Sequence, residues 1–376
     1  MINSTSLAKI VQIKKGKKEQ ESSLYSDNRK RYLQIEDLRT NQNIKFCTPN
    51  NKSVEVCNDD VLIAWDGANA GTIGFQLAGI IGSTLARLRV DTEKAYPQYL
   101  GRYLQFRFPE IRNNCTGATI PHVSGHHLRE LSVPLPPLPE QKRIATILDK
   151  ADALRDKRKK SIAKLEDLLQ SVFLDMFGEP LTNPKGPVGT LEEVCNKITD
   201  GTHISPKWST QGVPFLFVSN IKNCEINFDT KQFIPDEEYC RLTKNNPIEI
   251  GDILYTVVGS YGKPAMVRDN RKFAFQRHIA HIKPKKTISS EYLESMLSTK
   301  AILQQADQVV TGIAQKTLIL KELRKLRIII PTYDQQKKFV EQKESIMKQL
   351  SLQKAMSYQS EIFFVALQQR AFRGEL

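Results

Sequence analysis

The sequence lacks the features of a secreted, membrane or metal-binding protein. Its six cysteines form no Cys-x-x-Cys pair, which argues against both a zinc site and a disulfide framework. No apolar run approaches ~18 residues, the length of a membrane span. The first residues lack the basic-then-apolar pattern of a signal peptide. These absences predict a cytoplasmic protein with reduced thiols, no metal site and no membrane partner.

Motifs for catalysis are also missing. Residues 259–263 contain glycine and lysine as a phosphate-binding loop does, but the Ser/Thr that should follow the lysine and the full spacing are missing. His278 and His281 are three apart on a predicted strand, so they would point to opposite faces and make a poor metal pair. The Asn-Pro-Pro-aromatic motif of an amino-methyltransferase does not occur. We therefore expect no catalytic residues here, with a nuclease or methyltransferase of unrecognised motif as an alternative.

The sequence has fewer acidic residues than basic residues. The 376 residues include 41 Asp and Glu against 55 Lys and Arg, which gives a formal net charge of +14. Such an excess of positive charge favours a polyanionic partner, usually a nucleic acid. The length allows two or three domains with substantial cores.

Glycine and proline are absent between Glu140 and Gly178, after a proline-rich segment at 134–139. Proline ends a strand, and it can occupy the first turn of a helix. Apolar residues then recur mostly at steps of three and four, which predicts a helix over 140–177, about 57 Å long. One apolar stripe on so long a helix requires a partner helix. A break in the stripe surrounds Arg158, which either faces a partner subunit or marks a register shift.

The C-terminal segment, 331–376, repeats this helical element. At an offset of 195 residues, Pro136 coincides with Pro331, Gln141 with Gln336, and Phe177 with Phe372. Further similar blocks precede each helix in the same order, which indicates a duplicated pair of domains. The predicted apolar seam between the two helices comprises Ile147, Leu154, Leu165, Leu169, Ile346, Leu350 and Val365.

Each repeat therefore has a globular part followed by a long helix. The predicted boundaries are 1–135, 136–184, 185–332 and 333–376. Within the globular parts, strands and short helices mix without regular βαβ alternation, which indicates an α+β fold. Strands are predicted at 61–64, 85–90, 131–135, 213–218, 252–258, 278–282 and 325–330. Helices are predicted at 97–106 and 290–298. The expected architecture is two similar α+β domains separated by two long antiparallel coiled-coil helices, with approximate two-fold symmetry.

Four segments of the chain are distinctive: PLPPLPEQKRIA at 134–145, Phe-Gly-Glu-Pro at 177–180, and the blocks DVLIAWDG and GDILYTVVGSYGK. In these segments the sequence resembles the specificity subunits of type I restriction–modification systems. The closing Phe-Arg-Gly-Glu-Leu also fits, and the similarity covers nearly the whole chain in family order. The second helix departs mildly, with Asp-Gln-Gln where the first has Pro-Glu-Gln.

The resemblance implies a specificity subunit that is not itself an enzyme. Each target-recognition domain would read one half of a split, asymmetric site in double-stranded DNA, and the helices would set the gap between the halves. Two methyltransferase (modification) subunits would dock on the helices, and restriction subunits with translocase activity would join them. S-adenosylmethionine, ATP and Mg²⁺ would belong to those partners. The alternative outside this family is a two-domain scaffold that binds nucleic acid, including RNA.

Contacts to DNA phosphates are expected from lysine and arginine, and contacts to bases from polar side chains on loops. The loops at 116–122 and 311–316 occupy matching positions and differ in sequence, as expected if they read different bases. The candidate DNA-binding residues are Lys14, Lys15, Lys17, Lys18, Arg29, Lys30, Arg31, Thr116, Thr119, His122, Thr202, His203, Lys207, Tyr261, Lys263, Arg277, Thr311, Gln315 and Lys316.

Overall fold

The computed structural model describes residues 3–40, 42–117, 119–312 and 315–376. Packing divides the chain into two compact units. Unit 1 comprises Met1–Lys160 and Ala355–Leu376, and unit 2 comprises Ser161–Lys354. Each unit therefore contains one globular part together with a portion of both long helices. No helix within the described ranges is long and apolar enough to cross a membrane.

Within the described residues, the globular part of unit 1 contains eleven strands and three α-helices. Its strands are β1 (Ser4–Ser6), β2 (Val11–Lys15), β3 (Glu21–Ser22), β4 (Lys30–Leu33), β5 (Lys45–Cys47), β6 (Glu55–Val56), β7 (Asp60–Ala64), β8 (Ile73–Phe75), β9 (Gly79–Ile81), β10 (Leu85–Val90) and β11 (Ser132–Pro134). Its helices are α1 (Pro97–Phe106), α2 (Phe108–Asn113) and α3 (Gly125–Glu130), and the first long helix, α4 (Leu138–Phe177), follows.

An antiparallel sheet of order β2-β10-β7-β8 forms the centre of unit 1. Side chains alternate across it, so Val61 and Ile63 pack into the core that contains α1, whereas Leu62 faces a second sheet. The second sheet has the order β3-β5-β4-β9-β6 and includes a parallel pair, β4 and β9. Every residue of β7 is buried, because packed layers cover both of its faces.

The globular part of unit 2 repeats this arrangement. Its strands are β12 (Gly178–Glu179), β13 (Asn183–Pro184), β14 (Val188–Thr190), β15 (Cys195–Asp200), β16 (Val213–Leu216), β17 (Ile221–Lys222), β18 (Glu225–Ile226), β19 (Phe233–Ile234), β20 (Ile253–Thr256), β21 (Pro264–Met266), β22 (Ala274–Phe275), β23 (Ile279–Pro284) and β24 (Arg327–Ile329). Its helices are α5 (Asp236–Thr243), α6 (Ser290–Leu297), α7 (Lys300–Val309) and α8 (Leu320–Arg324), and the second long helix is α9 (Tyr333–Arg373).

The central sheets of the two globular parts have the same topology, whereas the second sheet has five strands in unit 1 and three, β19-β16-β22, in unit 2. The sheet β15-β23-β20-β21 of unit 2 corresponds strand for strand to β2-β10-β7-β8, and β16 pairs parallel with β22 as β4 does with β9. The strand pair β14-β24 likewise corresponds to β1-β11. The predicted α+β fold and the predicted similarity of the two domains are confirmed. The helix predicted at 97–106 is observed with these same bounds.

The long helices run antiparallel within each unit. In unit 1, Arg155 of α4 pairs with Glu361 of α9, and Arg143 with the carbonyl oxygen of Leu376. In unit 2, Lys354 lies 3.0 Å from Glu166. In α4, a series of buried or half-buried residues runs from Ile144 to Met176, and its members are alternately three and four residues apart. The same spacing holds in α9 from Phe339 to Ala371, as in a coiled coil.

This spacing corrects two predicted seam residues. Leu154 is 57% exposed and Val365 is 50% exposed, and each lies one residue outside the buried series. The series passes instead through Arg155, whose guanidinium carbon lies 4.2 Å from the ring centre of Phe364. A pattern search for apolar residues passes over an arginine that covers an aromatic ring with its long side chain. Placing Leu154 and Val365 in the seam was therefore wrong.

The other five predicted seam residues are at least half-buried. Ile346 and Leu350 are buried, and Ile147, Leu165 and Leu169 are half-buried. The break around Arg158 also has an explanation. Its guanidinium donates to the carbonyl oxygen of Met356 at 2.7 Å and to the hydroxyl of Ser360. Arg158 therefore belongs to the contact between α4 and α9, and the helical register continues through it.

A buried glutamine joins each globular part to the first turn of the helix that follows it. Gln141 accepts from the backbone N–H of Tyr96 at 2.8 Å, and donates to the carbonyl oxygens of Lys94 and Pro136. Gln336 makes the corresponding three bonds, to Ser289, Thr287 and Pro331. Both side chains are 1% exposed. The sequence alignment of these glutamines thus reflects one repeated junction.

A phenylalanine at the end of each long helix completes the junction. Phe372 of α9 packs against Tyr99, Tyr103 and Phe106 in unit 1. Phe177 of α4 is fully buried in unit 2. Both helices then end at a glycine with positive φ, 71° at Gly178 and 77° at Gly374, a conformation that favours glycine. Each globular part is therefore held by the start of one helix and the end of the other.

Leu148 and Leu154 provide a direct test of the seam. Leu148 is 0% exposed in the core of unit 1. Leu148→Ala should lower the free energy of unfolding by about 2–5 kcal/mol, since it removes a buried side chain and leaves a cavity. Leu154→Ala should cost about 0.5 kcal/mol or less, because the side chain is exposed. Guanidinium titration of both variants measures the difference, and equal losses would contradict the seam described here.

Candidate nucleic-acid interface

In unit 1, predicted DNA-binding residues meet at one end of the central sheet. This end is formed where β2 and β7 finish and where β8 and β10 begin. The loop at 116–122 is tied to it by two backbone hydrogen bonds of 2.9 Å, from Val123 to Trp65 and from Gly67 to Pro121. Since Lys15 is the last residue of β2, the basic segment that follows starts from the same end of the sheet.

Asp66 links two of the predicted residues. Its carboxylate lies 2.5 Å from the ammonium of Lys15 and 2.6 Å from Nδ1 of His122. Burial raises the pKa of the Asp66 carboxyl, but hydrogen bonds from Lys15 and His122 outweigh burial and hold the pKa below its usual value. Asp66 thus fixes a lysine and a histidine from distant parts of the chain in one place.

The loop at 116–122 is closed by its own backbone. Thr116 and His122 exchange two hydrogen bonds of 2.8 and 2.7 Å, and Gly117 has a φ of 93°. Thr119 is exposed in the part of the loop between them. The backbone groups at the base of the loop are therefore paired, and the side chains of Thr119 and His122 are exposed beside this base.

Unit 2 brings four chain segments together at the corresponding end of its sheet. Thr202 accepts from the N–H of Arg277 at 3.1 Å, so the turn after β15 adjoins the segment before β23. Val257 donates to His278 at 3.0 Å, which joins that segment to the loop after β20. Gly259 then donates to Lys316 at 2.9 Å. Candidates from separate parts of the sequence therefore share one surface.

The loop at 311–316 has the same base as its counterpart in unit 1. Thr311 and Thr317 exchange hydrogen bonds of 3.0 and 2.8 Å, as Thr116 and His122 do. Gln315 and Lys316 are both exposed. The bases of the two loops therefore have equivalent backbone hydrogen bonds, and their described polar side chains differ. Residues 118, 313 and 314 lie outside the described ranges.

Two further candidates in unit 2 are oriented by carboxylates. The hydroxyl of Tyr261 donates to Asp307, and this hydrogen bond raises the pKa of Tyr261. His203 lies 2.8 Å from Asp200 through Nε2. Lys263 is exposed in the same loop as Tyr261. As in unit 1, acidic side chains hold groups that could contact DNA.

The structure does not place all candidates at these sheet ends. Lys30 and Arg31 lie on β4 in the second sheet, where Lys30 pairs with Glu55 and Arg31 with Asp37. Arg29 precedes the same strand and donates to Ser22 at 2.7 Å. Lys207 donates through its backbone N–H to Glu238 of α5 at 3.2 Å. Lys17 and Lys18 are exposed in the segment after β2.

Sequence reasoning missed the acidic residues of these surfaces. Asp66, Asp200 and Asp307 are in contact with His122, His203 and Tyr261 respectively. A search for positive charge passes over carboxylates, and two of these pairs join residues more than 40 positions apart. Only the position of Asp200, three residues before His203, gave a local signal.

His281 has a structural role in unit 2. His281 is 1% exposed, with Nε2 2.6 Å from Asp252 and Nδ1 2.6 Å from Asn246. Both ring nitrogens are thus used within unit 2. Among the residues that the structure describes, no group of His, Cys, Asp and Glu is arranged to hold a metal ion.

Comparison with known families identifies the chain. A family model described as the type I restriction modification DNA specificity domain matches residues 3–167 and 187–357. The chain belongs to this family. The two matched segments are the two repeats found in the sequence, and the predicted type I specificity subunit is confirmed.

Two relatives of this chain are named as type I restriction enzyme specificity subunits. The type I restriction enzyme MjaVIII specificity subunit of Methanocaldococcus jannaschii is 27% identical over 84% of this chain and 78% of its own length. The EcoBI specificity subunit of Escherichia coli is 25% identical over 85% of this chain and 74% of its own length. Both alignments span most of both chains.

Solved structures share the fold. The S subunit of a type I restriction–modification system from M. genitalium has a TM-score of 0.59 at 16% identity, over 99% of this chain and 96% of its own. A chain from work on complex assembly and conformational transition of the type I R-M system also gives 0.59 at 16% identity, over 100% and 98% of the two chains. The fold of this specificity subunit is therefore that of known S subunits.

The Asp66 contacts make a prediction about pH. Replacing Lys15 with methionine removes one of the hydrogen bonds that lower the pKa of Asp66, so that pKa should rise towards ~3.9. The native contacts favour the ionised carboxylate. Their contribution to stability is therefore present above ~pH 4 and is lost as the pH falls through the lower folded-state pKa.

Carbon-detected NMR titration of the Asp66 carboxyl measures this shift. Lys9→Met is a suitable control, because Lys9 is an exposed lysine of the same unit outside this contact. An identical Asp66 pKa in the wild type and in Lys15→Met would contradict the assigned contact.

Proposed function

We propose that this specificity subunit reads a bipartite, asymmetric target in double-stranded DNA, with one half contacted by each unit. The observation that carries the proposal is the pair of equivalent sheet ends. Each presents a loop whose base is closed by the same pair of backbone hydrogen bonds, and the described polar side chains of the two loops differ. A duplicated reading surface with diverged side chains suits two different half-sites.

Base contacts are assigned to the two loops. In unit 1 the assigned groups are the exposed hydroxyl of Thr119 and imidazole of His122, and in unit 2 they are the exposed amide of Gln315 and ammonium of Lys316. Amides and cations of this kind hydrogen-bond to base edges in the major groove. Because the sets differ, the two halves of the target would differ.

Phosphate contacts are assigned to exposed lysines beside these loops. Lys17 and Lys18 follow the end of β2, and Lys263 lies in the loop after β20. Contacts of this kind supply affinity and salt dependence without reading sequence. The net charge of +14 is consistent with a polyanionic partner.

The helix pair is assigned two tasks. The first is to set the gap between the half-sites, because α4 and α9 are continuous through both units. The second is to dock two methyltransferase subunits and, through them, restriction subunits with translocase activity. S-adenosylmethionine, ATP and Mg²⁺ would be bound by those partners.

Exposed apolar side chains on the helices support the docking assignment. On α9 in unit 1, Ile362 is 49% exposed, Phe363 62% and Tyr358 67%. In unit 2, Leu168 is 45% exposed on α4, and Leu352 is 55% exposed on α9. Contiguous exposed apolar groups of this kind are typical of interaction sites.

Paired loop variants test the reading assignment. Thr119→Ala with His122→Ala should relax one half of the target, and Gln315→Ala with Lys316→Ala should relax only the other. Each lost base contact should reduce discrimination by about 1–3 kcal/mol. Sequencing of randomised duplexes selected by the purified complex gives the preferred bases.

Each double variant serves as the control for the other. Loss of preference in both halves from one double variant would contradict the assignment of one half per unit. Stronger selection of RNA than of duplex DNA would instead favour the nucleic-acid scaffold.

A second pair of variants tests docking. Ile362→Glu with Phe363→Glu places two charges on the proposed contact surface, and should weaken assembly with the methyltransferase subunit about tenfold or more. Gln359→Glu is the control, since it adds a charge at an exposed polar position on the same helix. Sedimentation of mixed subunits measures assembly. Unchanged assembly of the double variant would place the methyltransferase contact elsewhere.

A further inference from the structure

A basic cleft in unit 1 lies beside β2 and β10. It has a volume of about 400 Å³, and its lining residues include Lys14, Arg87 and Arg89 together with Glu55 and Val56 of β6. Lys14 and Arg87 are cross-strand partners, and Arg89 follows on the same face of β10. Three cations from neighbouring positions therefore converge on one cavity.

Arg87 is the unusual member of this group. Arg87 is only 8% exposed. Its Nη1 donates one hydrogen bond of 2.9 Å to the carbonyl oxygen of Glu55. Its Nε is buried and has no hydrogen-bond partner among the described residues. A buried guanidinium with an unused donor is unfavourable unless an anion accompanies it.

The nearby carboxylates are engaged elsewhere. Asp60 accepts two hydrogen bonds from Arg89, of 3.0 and 2.9 Å, and a third from the backbone of Cys57. Glu55 pairs with Lys30 through its side chain. Arg89 is thus neutralised within the protein, whereas Arg87 and Lys14 provide positive charge that no carboxylate of the cleft balances.

In unit 2, the sheet position that corresponds to Arg87 is enclosed by side chains that complete its hydrogen bonds. His281 occupies the position of Arg87, and Thr199 opposes it as Lys14 opposes Arg87. Both nitrogens of His281 are bonded, to Asp252 and Asn246, and Asn246 also donates to Thr199 at 2.8 Å. The position is completed by side chains in unit 2, whereas in unit 1 it opens onto a cavity with an unused donor.

We propose that Arg87 and Lys14 form a binding site for a phosphate-type oxyanion in unit 1. Guanidinium groups present several donors suited to phosphate, and the ammonium of Lys14 adds a second charge at the mouth. The phosphate has two sources, a free phosphate-bearing solute and a phosphodiester of bound DNA. The assignment does not depend on the proposed DNA recognition, because anion binding is measured without DNA.

Calorimetric titration with inorganic phosphate, at constant ionic strength in chloride, tests the site in the full chain. The wild type should bind one phosphate, and Arg87→Met and Lys14→Met should each weaken binding about tenfold or more. Lys14 is exposed on an edge strand, so its variant tests the site even where Arg87→Met fails to fold. Lys9→Met, an exposed lysine outside the cleft, should bind phosphate as the wild type does.

Absence of saturable binding in the wild type would overturn the site. Equal affinity of Lys14→Met and Lys9→Met would also overturn it. A duplex-binding titration then distinguishes the sources. If phosphate at constant ionic strength weakens duplex binding, and Lys14→Met abolishes that effect, then the site accepts a DNA phosphodiester. If saturating phosphate leaves duplex affinity unchanged, then the site serves a free anion.

Discussion

The structure depends on one repeated junction between a globular part and two helices. A buried glutamine, Gln141 or Gln336, bonds the first turn of the following helix to the backbone just before α1 or α6. A phenylalanine at the end of the other helix, Phe372 or Phe177, fills the adjoining core. A glutamine buried with three hydrogen bonds is costly to replace, since each partner left unpaired loses about 1–3 kcal/mol. The junction therefore fixes the helices to the sheet that carries the candidate reading loops.

The helices between these junctions have a seam of mixed chemistry. Near the globular parts it is apolar, with Leu148 in unit 1 and Phe339 in unit 2 fully buried. Further along in unit 1 it contains Arg155 and Arg158, whose charges are satisfied by Glu361 and by backbone and hydroxyl oxygens of α9. Since the seam uses only one stripe of each helix, apolar groups such as Phe363 lie outside it and are available to other subunits.

Much of this architecture follows from local sequence signals. The prolines before Glu140, the absence of glycine until Gly178 and the repeat of Gln141 and Phe177 predict both helices and the duplication. The position of Leu154 could not be predicted correctly, because its exposure depends on Arg155 entering the seam beside Phe364, more than 200 residues away. The contact between Asp66 and His122 likewise depends on the sheet bringing two loops together. Local patterns report propensity and periodicity, whereas these contacts are set by tertiary packing.

The central claim is that two equivalent modules on one helix pair read one split target. The most direct measurement is an adenine methylation map of a plasmid library, made with this chain and a type I methyltransferase subunit that assembles with it. The account predicts two specified segments of different sequence, separated by a gap of fixed length and unspecified bases. A single continuous motif, or two segments at variable spacing, would contradict it.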